Sequence, residues 1–172
     1  SAKFGMTMGD IVFDDLSIFP RYLSVVAQIG IPWYNVPGNH EINFLAENDR
    51  YSLETFKRFF GPPYYSFEYG DAHFVVLDSY DSPRDTGDPM LTWLAADLAA
   101  TTQQWLVAFW HHPPYSKGSH DSDFVGEPQL SNMRQDALPI LEAGGHGAAV
   151  ISGIWNVPSS GNAVQAYLQV LG

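Results

Sequence analysis

The segment Val36-Pro37-Gly38-Asn39-His40-Glu41 constrains this chain most. It closes a short apolar run, Ile31 to Val36, with the composition of a buried strand. A strand that ends on Pro-Gly and then presents Asn39, His40 and Glu41 puts an amide, an imidazole and a carboxylate on one loop. Loops at strand ends are where α/β proteins place their chemistry. A Pro-Gly turn followed by a left-handed Asn is the plain structural alternative. Two further strand ends weigh against it. Phe4 to Met8 runs into Gly9-Asp10, and Trp105 to Trp110 runs into His111-His112. Three apolar strands, each ending in a side chain able to ligate a metal, are hard to attribute to packing.

The rest of the chain alternates helices and strands. Leu16 to Ile29 has helical spacing, with Pro20 in its first turn and Gly30 at its end. Asn48 to Phe60 reads as a helix with Tyr51, Phe56, Phe59 and Phe60 facing inward, stopped by Gly61-Pro62-Pro63. Tyr64 to Tyr69 and His73 to Asp78 flank Gly70-Asp71 as a hairpin, with His73 structural. A loop from Asp81 to Pro89 forms part of the rim, and Met90 to Ala100 is a helix. The strand Trp105–Trp110 is apolar throughout, as expected of one covered on both faces. A helix from Asp136 to Ala143 precedes two strands, Ala148–Ser152 and Ala163–Leu171, joined by a Pro-Ser-Ser-Gly turn. An aspartate at position 10 could equally cap a helix, but Asp14, Asp15 and Ser17 are better placed for that.

A chain of 172 residues suits one domain spanning 1–172. The net charge of −11, with only 8 Lys and Arg, argues against a surface that grips nucleic-acid backbone. An acidic protein acting on phosphate needs local positive charge, which bound metal ions supply. With no cysteine, thiolate sites and disulfides are excluded. No apolar run is long enough to span a membrane.

Gly9-Asp10, Gly38-Asn39-His40-Glu41 and His111-His112-Pro113-Pro114, in this order, resemble the calcineurin-like metallophosphoesterases. The flanks Tyr64–Ser79 and Phe109–His120 look most like bacterial members related to purple acid phosphatases. The resemblance implies an α/β fold, the αββα sandwich of mixed sheets flanked by helices. It also implies hydrolysis of phosphate mono- or diesters at a binuclear centre of two divalent or trivalent ions, Mn, Fe or Zn. Asp10 would bridge the ions, and Asn39 and His111 would complete the second site, with His112 packing or rimming it. His40 would assist catalysis, oriented by Glu41, and His120 would contact substrate. Lys117 could face phosphate or simply solvent. Small phosphoesters are the implied substrates, and a periplasmic or secreted location is implied.

The departures are as informative. No Asp-x-His precedes Asp10, and no Gly-His-x-His follows the helix at Asp136–Ala143. His146 stands before a strand rather than after one, which marks it as structural. The expectation is that an N-terminal segment and an internal one near Gly144–His146 are absent, taking a central strand with them. The sheet should then show an open edge or a gap, and the chain alone should be a poor phosphatase. The alternative is a non-catalytic binding domain with a degraded metal site. Purple acid phosphatases bind ferric iron through a tyrosinate three residues after the bridging aspartate. Here that residue is Phe13, which disfavours the purple subtype.

Overall fold

The computed structural model describes residues 2–80, 88–117, 120–123, 126–144, 147–155 and 164–171. Two sheets face each other. The smaller pairs β1 (Gly5–Thr7) and β2 (Trp33–Asn35) in parallel. The larger runs β3 (Tyr65–Tyr69), β4 (Ala72–Val76), β5 (Trp105–Trp110), β6 (Gly147–Trp155), β7 (Val164–Leu171) in spatial order. Its β3–β4 and β6–β7 pairs are antiparallel, and β4–β5–β6 are parallel.

Alternation along β5 explains the layering. Leu106, Ala108 and Trp110 point to a core shared with α3 (Pro89–Ala100) and α5 (Leu138–Ala143). Val107 and Phe109 point the other way, with Val76 and Phe74, onto Val36, Met6 and Met8 of the small-sheet layer. Aromatic rings fill this inter-sheet space: Tyr34 stacks on Phe67 at 4.0 Å, and Phe4 meets Phe67 edge-on at 5.4 Å. Beyond the small sheet, α1 (Phe19–Val26) is tied to both its strands by Tyr22. The Trp33 indole donates to Thr7 Oγ1, which lies 2.6 Å from the Tyr22 hydroxyl, which in turn donates to Asn35 Oδ1. These are the four layers of an αββα sandwich.

Several expectations shift in detail. The helix foreseen at Asp136–Ala143 starts earlier, with α4 (Pro128–Asn132) leading through a π-turn at Met133–Ala137 into α5. The helix foreseen from Asn48 is a 3₁₀ turn at Asp49–Tyr51 followed by α2 (Glu54–Phe60), and Tyr51 is exposed rather than inward. Asp88, placed only in a loop from sequence, caps α3 by accepting from Met90 N and Leu91 N. Most of the Asp81–Pro89 loop, His146 and the Pro-Ser-Ser-Gly turn lie outside the described residues.

The foreseen gap in the sheet is not there. β6 follows α5 and pairs with β5 from Gly147 opposite Trp105 to Ser152 opposite Trp110. The strand that should lead into Gly-His-x-His is therefore present, and its last residues, Gly153-Ile154-Trp155, include no histidine. The start of β6 lies at the end of β5 remote from His111. An open edge does exist among the described residues, since β1 pairs with β2 alone.

Val12, Phe19, Ile42, Leu53 and Phe56 form a separate cluster beneath the loops that carry Asp10 and His40. Phe56 is fully buried there. Phe56→Ala should lower unfolding free energy by about 3–5 kcal/mol in urea titration, because the site floor cannot collapse onto so large a cavity.

Candidate metal centre

The strand-end loops converge as the strand parity requires. His111 follows Trp110 on the inter-sheet face of β5, and its Nδ1 is 2.7 Å from the Met8 carbonyl at the end of β1. That contact fixes the tautomer, because only a protonated Nδ1 can donate to a carbonyl. In the neutral ring Nε2 then carries the lone pair. It is buried, makes no hydrogen bond, and stands 3.3 Å from Asp10 Oδ1. A lone pair and a carboxylate facing each other in a buried site call for a cation between them, and a backbone-anchored imidazole is how metal-binding histidines are held.

Asp10 sits in the left-handed region with φ 52°, directly after Gly9 at φ 86°. A non-glycine residue held there signals a constraint imposed from outside. The constraint is Glu41. Its fully buried carboxylate accepts from Asp10 N at 2.8 Å, Gly38 N at 2.8 Å and Val12 N at 3.2 Å. It thus ties the Gly9-Asp10 loop to the Gly38-Asn39-His40 loop. Space is the reason for Gly38: a Cβ there would come within 2.5 Å of Asp10 Oδ1. Burial is the largest influence on Glu41 and drives its pKa above the usual range, against the three amide donors.

Burial also raises Asp10, but His111, aided by His40, more than offsets it, so its carboxyl lies below the usual range. Burial lowers His111, and Asp10 reverses that, so the imidazole titrates higher than usual. Each group favours the charged form of the other, so an ion bound there would have to displace the proton on Nε2.

His40 is held differently from expectation. Its Nδ1 lies 2.8 Å from Asp14 Oδ1, so Asp14 rather than Glu41 orients the ring. Phe13 stacks on the same imidazole at 4.4 Å. His40 Nε2 is 4.0 Å from Asp10 Oδ2. A cleft of about 390 Å³ is lined by Asp10, Asn39, His40, His111, His112 and His120, among others. His120 is anchored by Glu127, 3.0 Å from its Nδ1. Buried His112 lies 2.8 Å through its Nδ1 from Ser79 Oγ. Lys117 is not among the lining residues. It is exposed and pairs with Asp121 and Asp123 at 3.0 and 2.6 Å, which corrects its assignment to phosphate. His73 is structural, its Nε2 2.7 Å from Asp97 Oδ2 on α3.

Asp14 and Glu127 escaped the sequence reading. Asp14 stood out only as a capping candidate, a job that Asp15 performs for Ser17. Glu127 has no local signal.

The donor set suits one ion. Asp10 and His111 supply oxygen and nitrogen, and Asn39 lines the same cleft. Among the described residues no three His, Asp or Glu side chains gather tightly enough to hold a metal. For a second ion, Asp10 alone would remain among the described residues.

The fold and strand-end loops define a metallophosphoesterase scaffold, and the comparisons agree. The family described as calcineurin-like phosphoesterase matches residues 4–153. The chain belongs to that family. It is 37% identical over 99 residues to purple acid phosphatase 15 of Arabidopsis thaliana, covering 50% of this chain and 18% of that protein. To purple acid phosphatase 23 of the same plant it is 33% identical over 125 residues, covering 64% and 25%. The structure of a purple acid phosphatase from yellow lupin (Lupinus luteus) seeds superposes with a TM-score of 0.65 at 17% identity, over 91% of this chain and 33% of that one. The chain thus spans only about a fifth to a quarter of the length of these Arabidopsis relatives.

Glu41→Gln should cost about 1–3 kcal/mol in unfolding free energy, because an amide NH₂ turned toward backbone N–H groups leaves at least one buried donor unpaired. Circular-dichroism melts of the two proteins check this.

Proposed function

We propose that this chain carries the phosphoester-binding and ion-binding half of a metal-dependent phosphoesterase. The buried Nε2 of His111, facing Asp10 without a hydrogen bond, carries the reading. Asp10, Asn39 and His111 hold the ion. When bound, it supplies positive charge against phosphate oxygens and acidifies water, which suits hydrolysis of phosphate esters. Mn, Fe and Zn all suit such N/O donors.

The chain's own groups do the rest. His40, with Nδ1 turned to Asp14, presents Nε2 to the cleft and can protonate a departing alkoxide or phenoxide. His120, steadied by Glu127, reaches phosphate oxygens from the opposite wall. Glu41 keeps both loops in register without touching substrate. By resemblance the intact enzyme works with two ions, in the periplasm or outside the cell. Among the described residues no helix is long and apolar enough to cross a membrane.

A second reading, a binding domain with a degraded centre, is favoured by one observation. The end of β6, Gly153-Ile154-Trp155, offers no histidine to a second ion. Turnover of an aryl phosphate with Mn(II) separates the two: measurable, weak hydrolysis supports the enzyme, and ion and phosphate binding without hydrolysis supports the binding domain. In the enzyme, His40→Ala should reduce kcat on the order of 10²–10⁴-fold with ion content unchanged. A parallel loss of bound ion would reassign His40 as a ligand.

Phe13 gives a further test. Ferric-loaded protein should lack the visible band of a tyrosinate–iron bond, and Phe13→Tyr should introduce one. A purple wild-type protein would contradict the placement of Phe13 beside the ion.

A further inference from the structure

The mouth of the Asp10 cleft has a distinctive chemistry. Its carboxylates are Asp10 and Glu127, and among the described residues no Lys or Arg lines it. Three rings do: Phe13, Phe44 and Tyr80. Phe13 is 74% exposed and Phe44 65% exposed. Exposed apolar side chains scattered singly are ordinary, but rings gathered on one polar cleft mark a surface that a ligand covers.

Phe13 is also fixed in place. It stacks on His40 at 4.4 Å with the planes 28° apart, so its position is set by the residue proposed to protonate the leaving group. A ring already held needs little ordering when a ligand arrives. The charge balance works against other occupants. In a chain of net charge −11, a second anionic group on the substrate, away from the ion, would meet no Lys or Arg among the described residues that line this cleft.

We propose that Phe13 and Phe44 are specificity-determining residues that select phosphoesters with a flat, apolar leaving group, the aryl phosphates, over small alkyl and multiply anionic esters. This rests on the reading of the Asp10 cleft as the phosphate site. The phosphoryl group lies at Asp10 and His111, and the leaving-group ring lies against Phe13 and Phe44.

Phosphonates, which are not hydrolysed, test the proposal by binding alone. The full chain with Mn(II) is titrated calorimetrically with methylphosphonate, phenylphosphonate and 1,4-phenylenebisphosphonate. Phenylphosphonate should bind at least about tenfold more tightly than methylphosphonate, as stacking plus ring burial requires. The bisphosphonate should bind no more tightly than phenylphosphonate. In Phe13→Ala/Phe44→Ala the phenyl-to-methyl ratio should fall to within about twofold. Both rings are largely exposed, so folding should survive their removal. A ratio near one in the wild type, a ratio that persists in the double variant, or a tighter bisphosphonate overturns the inference while leaving the cleft intact. Failure of methylphosphonate to bind, or binding unaffected by His111→Ala, overturns the reading of the cleft itself.

Discussion

The site depends on one buried carboxylate. Glu41 accepts backbone N–H groups from Asp10, Val12 and Gly38, and so fastens together two loops that come from neighbouring strands. Without that clasp nothing holds Asp10 in its left-handed conformation, and its side chain loses its aim at His111. The absence of a Cβ at Gly38 serves the same junction, since any side chain there would strike the Asp10 carboxylate. A buried acid is costly, and three amide donors are what make it tolerable. The Gly-Asn-His-Glu run is therefore a structural device as much as a chemical one. Asn39 and His40 face the cleft, while Gly38 and Glu41 build the joint behind them.

Strand ends made much of this legible in the sequence. The apolar runs pointed to the loops that follow them, and the choice of His111 over His112 came from the family resemblance; in the structure His111 reaches the Met8 carbonyl while His112 turns toward Ser79. The Gly-Asp hairpin turn and the Pro-started α1 were readable because glycine and proline act locally. What sequence left hidden was partnership across the fold. Nothing in the pattern says that Glu41 would turn to backbone amides, or that Asp14 would take its place beside His40. The early start of the last helical segment was hidden for another reason. Pro128 at its first turn looks like a breaker until the residues after it are seen to pack, with Leu130 and Met133 fully buried. Lys117 was readable only as a cation; that it would be claimed by Asp121 and Asp123 depended on how its loop folds back.

The sheet and the centre diverge in what they retain. The scaffold is continuous through β6, the hydrophobic layers are filled on both faces of the large sheet, and the aromatic packing between sheets is dense. The ligand set is sparse by comparison. The proposed cation position has Asp10, His111 and Asn39 as its donors, and the described end of β6, Gly153-Ile154-Trp155, adds no histidine. Fold and ligation answer to different physics. A β-strand survives any side chain that suits its faces, whereas an ion site fails when a single donor is replaced by a hydrocarbon. A family scaffold can thus be intact where its chemistry is reduced, and the remaining donors decide what the site can bind.

The central claim is that His111 Nε2 is a metal ligand paired with Asp10. Pulsed electron–nuclear spectroscopy of the Mn(II)-loaded protein reads it directly. One imidazole nitrogen should couple to the manganese, and that coupling should disappear in His111→Ala while persisting in His40→Ala. A nitrogen coupling that survives His111→Ala, or its absence from the loaded wild-type protein, would contradict the assignment.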